Sequence, residues 1–400
     1  MTFAGPISSA LQPERKAGPA YSLSRRILKR ILAIAFIVAL FLPIAGTCLK
    51  WDPVTSSENR ALARFPGMPK SDRQIREFPD LFMRFYRDHF GFRNALIRAL
   101  AIGRYHGGLG MDIHAPVIFG KEKWLFYPSS VAGDWLAARG LSPFSESELD
   151  AWQNLYEKRN KFFTEHGIPF LLVIVPDKQS IYPEFLPDRL SRIGPKTRLD
   201  QFIDRLRKTH SSVHLLDLRP VLLEARKQRQ IYFRTDDHWN DYGAYAAYPV
   251  ILSAMQSMLP GRTLIPQPIS NFIPGTVHRP GDLAKYVDLY FEYDEVAPQL
   301  VRRVPFHPIS KPEDPFAQVM TVGSDPSGPV LYAFHDSYTD FLAPFLGPHF
   351  SKAYWQWTNS MNGADVLKVK PDLVFNEFVE RKLNDAILPD SDDIRDQKLP

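Results

Sequence analysis

The chain has 400 residues, 44% of them hydrophobic and 23% charged, which is enough apolar content to bury a large core and too much for a disordered chain. The formal net charge of +5 belongs to residues 1–30, where six bases (Arg15, Lys16, Arg25, Arg26, Lys29, Arg30) face the single acid Glu14; beyond residue 30 bases and acids balance. A neutral body has no electrostatic footprint for nucleic acid, and Cys48, the only cysteine, excludes an intramolecular disulfide.

The bases precede residues 31–49, nineteen consecutive residues without a charge. At 1.5 Å per residue, a helix of this length crosses a hydrocarbon core of about 30 Å. Bases on the amino side alone predict an N-terminus in the cytoplasm and a body on the far side of the membrane. Residues 1–30 therefore read as a basic cytoplasmic tail and 31–49 as a retained transmembrane signal anchor. A cleaved signal peptide is the competing reading, against which the long apolar run and the long basic region both stand.

Residues 50–110 read as a helical stalk. Phe78, Leu81, Phe82, Phe85 and Tyr86 recur at spacings of three and four, an apolar stripe expected to be core, and Gly91 separates this helix from a second over 94–104. The body over 111–388 then alternates strands and helices. Residues 117–127 predict a hairpin with its turn at 120–123. Ser145 caps a long helix to 166, and the apolar run 168–175 predicts a buried parallel strand. That strand ends in Pro176-Asp177-Lys178, which puts polar groups at the carboxyl edge where open α/β sheets bind ligands. Helices are predicted over 196–210, near 221–227 and over 242–258, and strands over 213–218, 330–334 and 372–377. The proline-rich stretch 266–309 reads as an irregular insertion and 389–400 as a mobile tail. Four candidate parallel strands among helices predict an α/β three-layer fold around a central parallel sheet.

The chemistry concentrates at 232–245, Y-F-R-T-D-D-H-W-N-D-Y-G-A-Y. Asp236 stands two residues before His238, so its carboxylate can hold one imidazole nitrogen while the other accepts a proton from a hydroxyl. A serine suited to that role is Ser337, where the apolar run 330–334 stops at His335-Asp336-Ser337. A zinc site is the rival chemistry, but no second histidine four residues away and no cysteine partner accompany His238. No metal and no cofactor are expected.

Several separated motifs together resemble the alginate O-acetyltransferase (AlgX/AlgJ-like) branch of the SGNH hydrolases. They are E-N-R-A-L-A-R-F-P at 58–66, D-H-F-G-F-R at 88–93, G-K-E-K-W-L-F-Y at 120–127 and P-D-K-Q-S-I-Y-P-E at 176–184. T-D-D-H-W-N at 235–240, G-D-L at 281–283, H-D-S-Y at 335–338 and K-P-D-L-V-F-N-E-F-V-E-R at 370–381 continue the series. The resemblance implies an SGNH-like fold with Ser337 as nucleophile, His238 as base and Asp236 as its orienter. The order Asp, His, Ser permutes the usual SGNH order, and His335 replaces the glycine common before Asp-Ser.

The resemblance further implies a membrane-anchored periplasmic O-acyltransferase that esterifies an exopolysaccharide, with a membrane-bound acyl-donor partner of the MBOAT type. An esterase with the same triad and a non-catalytic polysaccharide-binding scaffold remain as alternatives. Trp239, Tyr242, Lys178 and Arg381 are assigned to substrate binding. The Ser337 N–H is the first candidate for the oxyanion hole, followed by Asn359, Asn362 and Arg381.

Overall fold

The structure is a computed structural model that describes residues 19–49, 62–106, 117–127, 134–287, 289, 293–302 and 318–385. Arg15 and Lys16 of the basic tail, the start of the 58–66 motif and the tail 389–400 lie outside the described residues. The chain divides into two units, residues 1–97 and 98–400.

In the first unit, Pro19–Leu49 is one helix, and its segment Ile27–Thr47 is long and apolar enough to cross a membrane. Ile34, Phe36, Val38 and Phe41 along it are exposed, the pattern of a membrane anchor or a signal sequence. Ser71 caps the helix Asp72–His89, and a further helix, Arg93–His106, begins in this unit and continues into the second. The stripe predicted to be core is not buried. Phe78 and Phe85 are half-buried, but Leu81, Phe82 and Tyr86 are exposed, because the rings pair mainly with one another and with Phe65.

The second unit holds ten strands among its described residues. Ile118–Phe119 (β1) and Leu125–Phe126 (β2) form the predicted hairpin. Phe170–Val175 (β3), His214–Asp217 (β4), Phe272–Pro280 (β5), Asp294–Arg302 (β6), Val319–Val322 (β7), Val330–His335 (β8), Lys352–Trp357 (β9) and Leu373–Val379 (β10) follow. Six of them form one sheet in the order β4-β3-β10-β8-β9-β7, parallel throughout except for β7, which pairs antiparallel at the edge. The four strands predicted from the sequence are its contiguous core, β4-β3-β10-β8.

Every residue of β3 and β10 is buried, as strands covered on both faces must be, and alternate residues serve opposite layers. Leu171, Val173, Val175, Leu331, Ala333 and Phe375 pack with the helices Arg219–Ala225, Asp241–Met258 and Thr339–Leu346. Phe170, Leu172, Ile174, Tyr332, Phe334 and Val374 pack with Glu146–Glu165 and Arg198–Lys208. Each of the latter two helices starts at a capping box, Ser145 with Glu148 and Thr197 with Asp200.

The stretch 266–309 is not an irregular insertion over its described part. It forms an antiparallel ribbon in which β5 and β6 pair from Phe272↔Arg302 to Pro280↔Asp294, with the helix Asp282–Tyr286 between them. Prolines such as Pro274, Pro280 and Pro298 fit there because each strand of a two-stranded ribbon keeps an open edge that needs no N–H. Sequence reading also passed over β9 and the antiparallel edge strand β7.

Candidate active site

The site stands at the carboxyl edge of the sheet, where β3 runs into Asp177-Lys178, β8 into Asp336-Ser337 and β10 into Glu380-Arg381. The turn from Phe233 to His238 enters from outside the sheet. It is closed by a bridge between Tyr232 and Trp239 and by the Phe233 N–H donating to the His238 carbonyl at 3.1 Å. Within it, the Asp236 Oδ1 faces His238 Nδ1 at 2.8 Å and accepts the His238 backbone N–H at 3.2 Å. On the other side of the ring, Nε2 lies 2.7 Å from Ser337 Oγ. The structure therefore brings Asp236, His238 and Ser337 into one hydrogen-bonded relay across a separation of about a hundred residues in sequence.

The electrostatics suit the relay. Burial penalises a charged carboxylate at Asp236, yet its hydrogen bond with His238 and the charges of His238 and Arg279 prevail and hold it well below the usual carboxylate range. Burial likewise opposes an imidazolium at His238, but the hydrogen bond and charge of Asp236, with Asp237 behind it, raise the imidazole above its ordinary value. Arg381 pulls in the opposite direction.

The turn that carries Ser337 is fixed from below. Asp336 accepts the Tyr338 N–H at 3.0 Å and the Val379 N–H at 2.8 Å. Glu377 on β10 accepts the Thr339 hydroxyl at 2.8 Å and the Asp336 N–H at 3.3 Å through one oxygen, while its other oxygen is buried with no hydrogen-bond partner among the described residues. Burial and the neighbouring Asp336 push this carboxyl well above its ordinary value. His335, in the place of the usual glycine, is buried at the end of β8 with Nδ1 2.8 Å from the Asp336 carbonyl, and burial keeps it below the ordinary histidine value.

The four residues expected to bind substrate are engaged inside the protein. Trp239 is completely buried and its indole N–H donates to the Tyr338 carbonyl at 3.0 Å, so no ring face is left for a sugar. Tyr242 is also buried, with the Arg229 guanidinium 4.3 Å over its ring. Lys178 is buried too, and Nζ donates to the carbonyls of Asp236 at 2.6 Å and of Phe233 and Arg234 at 3.2 Å, tying the end of β3 to the Asp236 turn. Burial lowers its amine to about 8. Arg381 pairs with Asp177 at 2.7 Å and with Asp237 at 2.5 Å, so its charge is spent inside the protein. Trp239, Lys178 and Arg381 brace residues around the relay, and Tyr242 packs in the core. All four lack the exposed face that a polysaccharide would need.

Two of the further oxyanion candidates are held through their oxygens, which keeps their side-chain amide N–H groups as candidate donors. Asn362 caps the helix Gly363–Val369, and the Asn359 carbonyl accepts from Arg159 at 2.7 Å. The Ser337 N–H has no acceptor among the described residues. Sequence reading missed Glu377, Glu295 and Arg279. The available signal for Arg279 was its place just before the Gly-Asp-Leu motif at 281–283.

Asp236, His238 and Asp282 bring ligand-type atoms within 4.8 Å of one another, the spacing of a metal cluster. Both imidazole nitrogens are already engaged and Arg279 donates to the free oxygen of Asp236, so a cation would have to displace a guanidinium of its own charge. These residues do not fit a metal.

An α/β sheet with a Ser-His-Asp relay at its carboxyl edge is the arrangement of the SGNH hydrolase-like proteins. The chain belongs to the family described as SGNH hydrolase-like domain, acetyltransferase AlgX, which matches residues 117–327. That span holds Asp236 and His238 and stops before Ser337, whose place beside the imidazole comes from the structure.

Similar proteins include the probable alginate O-acetylase AlgJ of Pseudomonas putida, 28% identical over 177 residues that cover 43% of this chain and 42% of the relative. That of Azotobacter vinelandii is 23% identical over 188 residues, covering 46% and 44%. The chain thus matches less than half the length of these curated relatives. Among solved structures, the O-acetyltransferase domain of Pseudomonas putida AlgJ is 23% identical with a TM-score of 0.47, covering 69% of this chain and 94% of that one.

Proposed function

We propose that this protein is a membrane-anchored O-acyltransferase, in the first instance an O-acetyltransferase, that esterifies hydroxyls of an exopolysaccharide such as alginate. The observation that carries the reading is the relay Asp236–His238–Ser337, with bonds of 2.8 and 2.7 Å at the carboxyl edge of the sheet. The names of the relatives, probable alginate O-acetylases, supply the acyl group and polymer class.

In the first half-reaction His238 Nε2 takes the proton of Ser337 as Oγ attacks the carbonyl of the acyl donor. The new Oγ–acyl bond replaces the bond to the donor, and the proton passes from His238 to the departing group. The Ser337 N–H, which has no acceptor among the described residues, stabilises the oxyanion. In the second half a sugar hydroxyl loses its proton to His238 and takes the acyl group, and Ser337 recovers the proton.

The apolar run 31–49, most of it within the membrane-length segment Ile27–Thr47, serves as an anchor spanning the inner membrane, with residues 1–30 in the cytoplasm, 50–110 as a stalk and 111–388 as the catalytic domain in the periplasm. A membrane-bound MBOAT-type partner would supply the acyl group there.

Ser337→Ala tests the reading, since it removes the nucleophile with little change in volume. Cells with normal levels of the variant should secrete polymer with its ester content lost or greatly reduced. Unchanged ester per sugar would make the protein a scaffold, and increased ester would make it an esterase.

A further inference from the structure

Arg279 stands on the ribbon strand β5, outside the sheet that carries Ser337. Its guanidinium donates through Nη2 to Asp236 Oδ2, while Oδ1 of the same carboxylate serves His238. The Asp282 N–H reaches Oδ2 as well, at 3.4 Å. The guanidinium lies 4.8 Å over the Phe233 ring, which fixes its orientation.

The ribbon is fastened to the same turn by further bonds. The Gly281 N–H donates to Thr235 Oγ1 at 3.0 Å, and buried Glu295 on β6 accepts the N–H groups of Arg234 and Thr235 at 2.8 and 2.9 Å. Asp236 is completely buried, so its two oxygens are divided between the imidazole and a cation delivered by the ribbon.

We propose that Arg279 is a positioning residue for acyl transfer: it holds Asp236 in the orientation that meets His238 and offsets part of its charge, so that the ribbon sets the basicity of the imidazole. The proposal rests on the reading of His238 as the base. The charged groups around the ring are Asp236, Asp237, Asp282, Asp340 and Arg381. Of these, only Asp236 hydrogen-bonds the imidazole, and Arg279 is the cation paired with Asp236. Without the guanidinium, Asp236 would act on His238 alone, the imidazolium would be favoured, and the histidine would titrate at higher pH. A more basic but less well-oriented imidazole is protonated over more of the working range and cannot take the serine proton there.

The test is an NMR titration of the His238 imidazole in the full-length protein in detergent, assigned by the signals lost in His238→Gln. Arg279→Gln and Arg279→Met are the neutral variants, the second keeping an apolar stem against Phe233 should the first fail to fold. Arg279→Lys keeps the charge. In the neutral variants the His238 pKa should rise by about one unit, and in the lysine variant it should stay near that of the parent. The acid limb of kcat/KM for a chromogenic acyl ester should move up with it, with kcat falling more than KM rises. An unmoved or lowered His238 pKa in the neutral variants would overturn the proposal. So would a change confined to KM, which would make Arg279 an acceptor contact. The titration needs no turnover, so it decides the role of Arg279 even if Ser337→Ala retains activity and the catalytic reading itself fails.

Discussion

Replacing Gly281 by alanine places a methyl group against the backbone that carries Asp236. The residue has φ −69°, which any side chain accepts, so the obstacle is space and not conformation. A Cβ would stand 2.1 Å from the Thr235 C and O and 2.4 Å from the Asp236 N, whereas ordinary contact begins at 3.4 Å. The ribbon and the turn must part by more than an ångström, and neither wall is a flexible side-chain end. The bonds from Gly281 N to Thr235 Oγ1 and from Asp282 N to Asp236 Oδ2 weaken as they part. Overpacking of this kind costs about 1–3 kcal/mol, and each weakened hydrogen bond adds up to about 1 kcal/mol. A shift of this size at Asp236 misaligns the imidazole, for which about a hundredfold loss in rate is the expected scale. Gly281→Ala should therefore lower kcat/KM for a chromogenic acyl ester about a hundredfold, with a drop in melting temperature of about 2–4 °C for each kcal/mol. Parent-like turnover and melting would refute the argument, because they would mean that the ribbon can move off the turn without disturbing Asp236.

The pH dependence follows from His238. Its imidazole must be neutral to accept the Ser337 proton and Asp236 holds it above the ordinary value of 6.5, so kcat/KM should fall as pH drops through a limb that lies above 6.5. An acid limb below 6.5 in a pH-rate profile would contradict that direction. If Ile27–Thr47 is a retained anchor, the full-length protein should stay with the inner membrane after carbonate washing, with its body open to protease only once the periplasm is breached. Recovery of a soluble protein beginning near residue 51 would identify a cleaved signal instead.

Local patterns were sufficient for the frame of the molecule. The continuous apolar runs became β3 and β8, and Ser145 marked a real helix start. The uncharged run became one exposed helix. Burial on both faces of a strand, helix capping and membrane-length apolarity are properties of neighbouring residues, so they are written in one dimension. The Asp-x-His pair is local for the same reason: two residues apart, its members meet within a single turn.

What the sequence could not decide were the destinations of polar and aromatic side chains whose partners lie far along the chain. Trp239 and Lys178 read as substrate contacts because they flank the chemistry, yet tertiary packing buries one against Tyr338 and the other against carbonyls of the Asp236 turn. The exposed stripe of the helix Asp72–His89 shows the opposite failure, since amphipathic spacing states which residues share a face and not whether anything covers it. The pairing of Arg279 with Asp236 is the furthest from legibility: it depends on the register of a ribbon whose prolines resemble an irregular loop, and only folding brings a guanidinium forty-three residues downstream onto the free oxygen of the carboxylate.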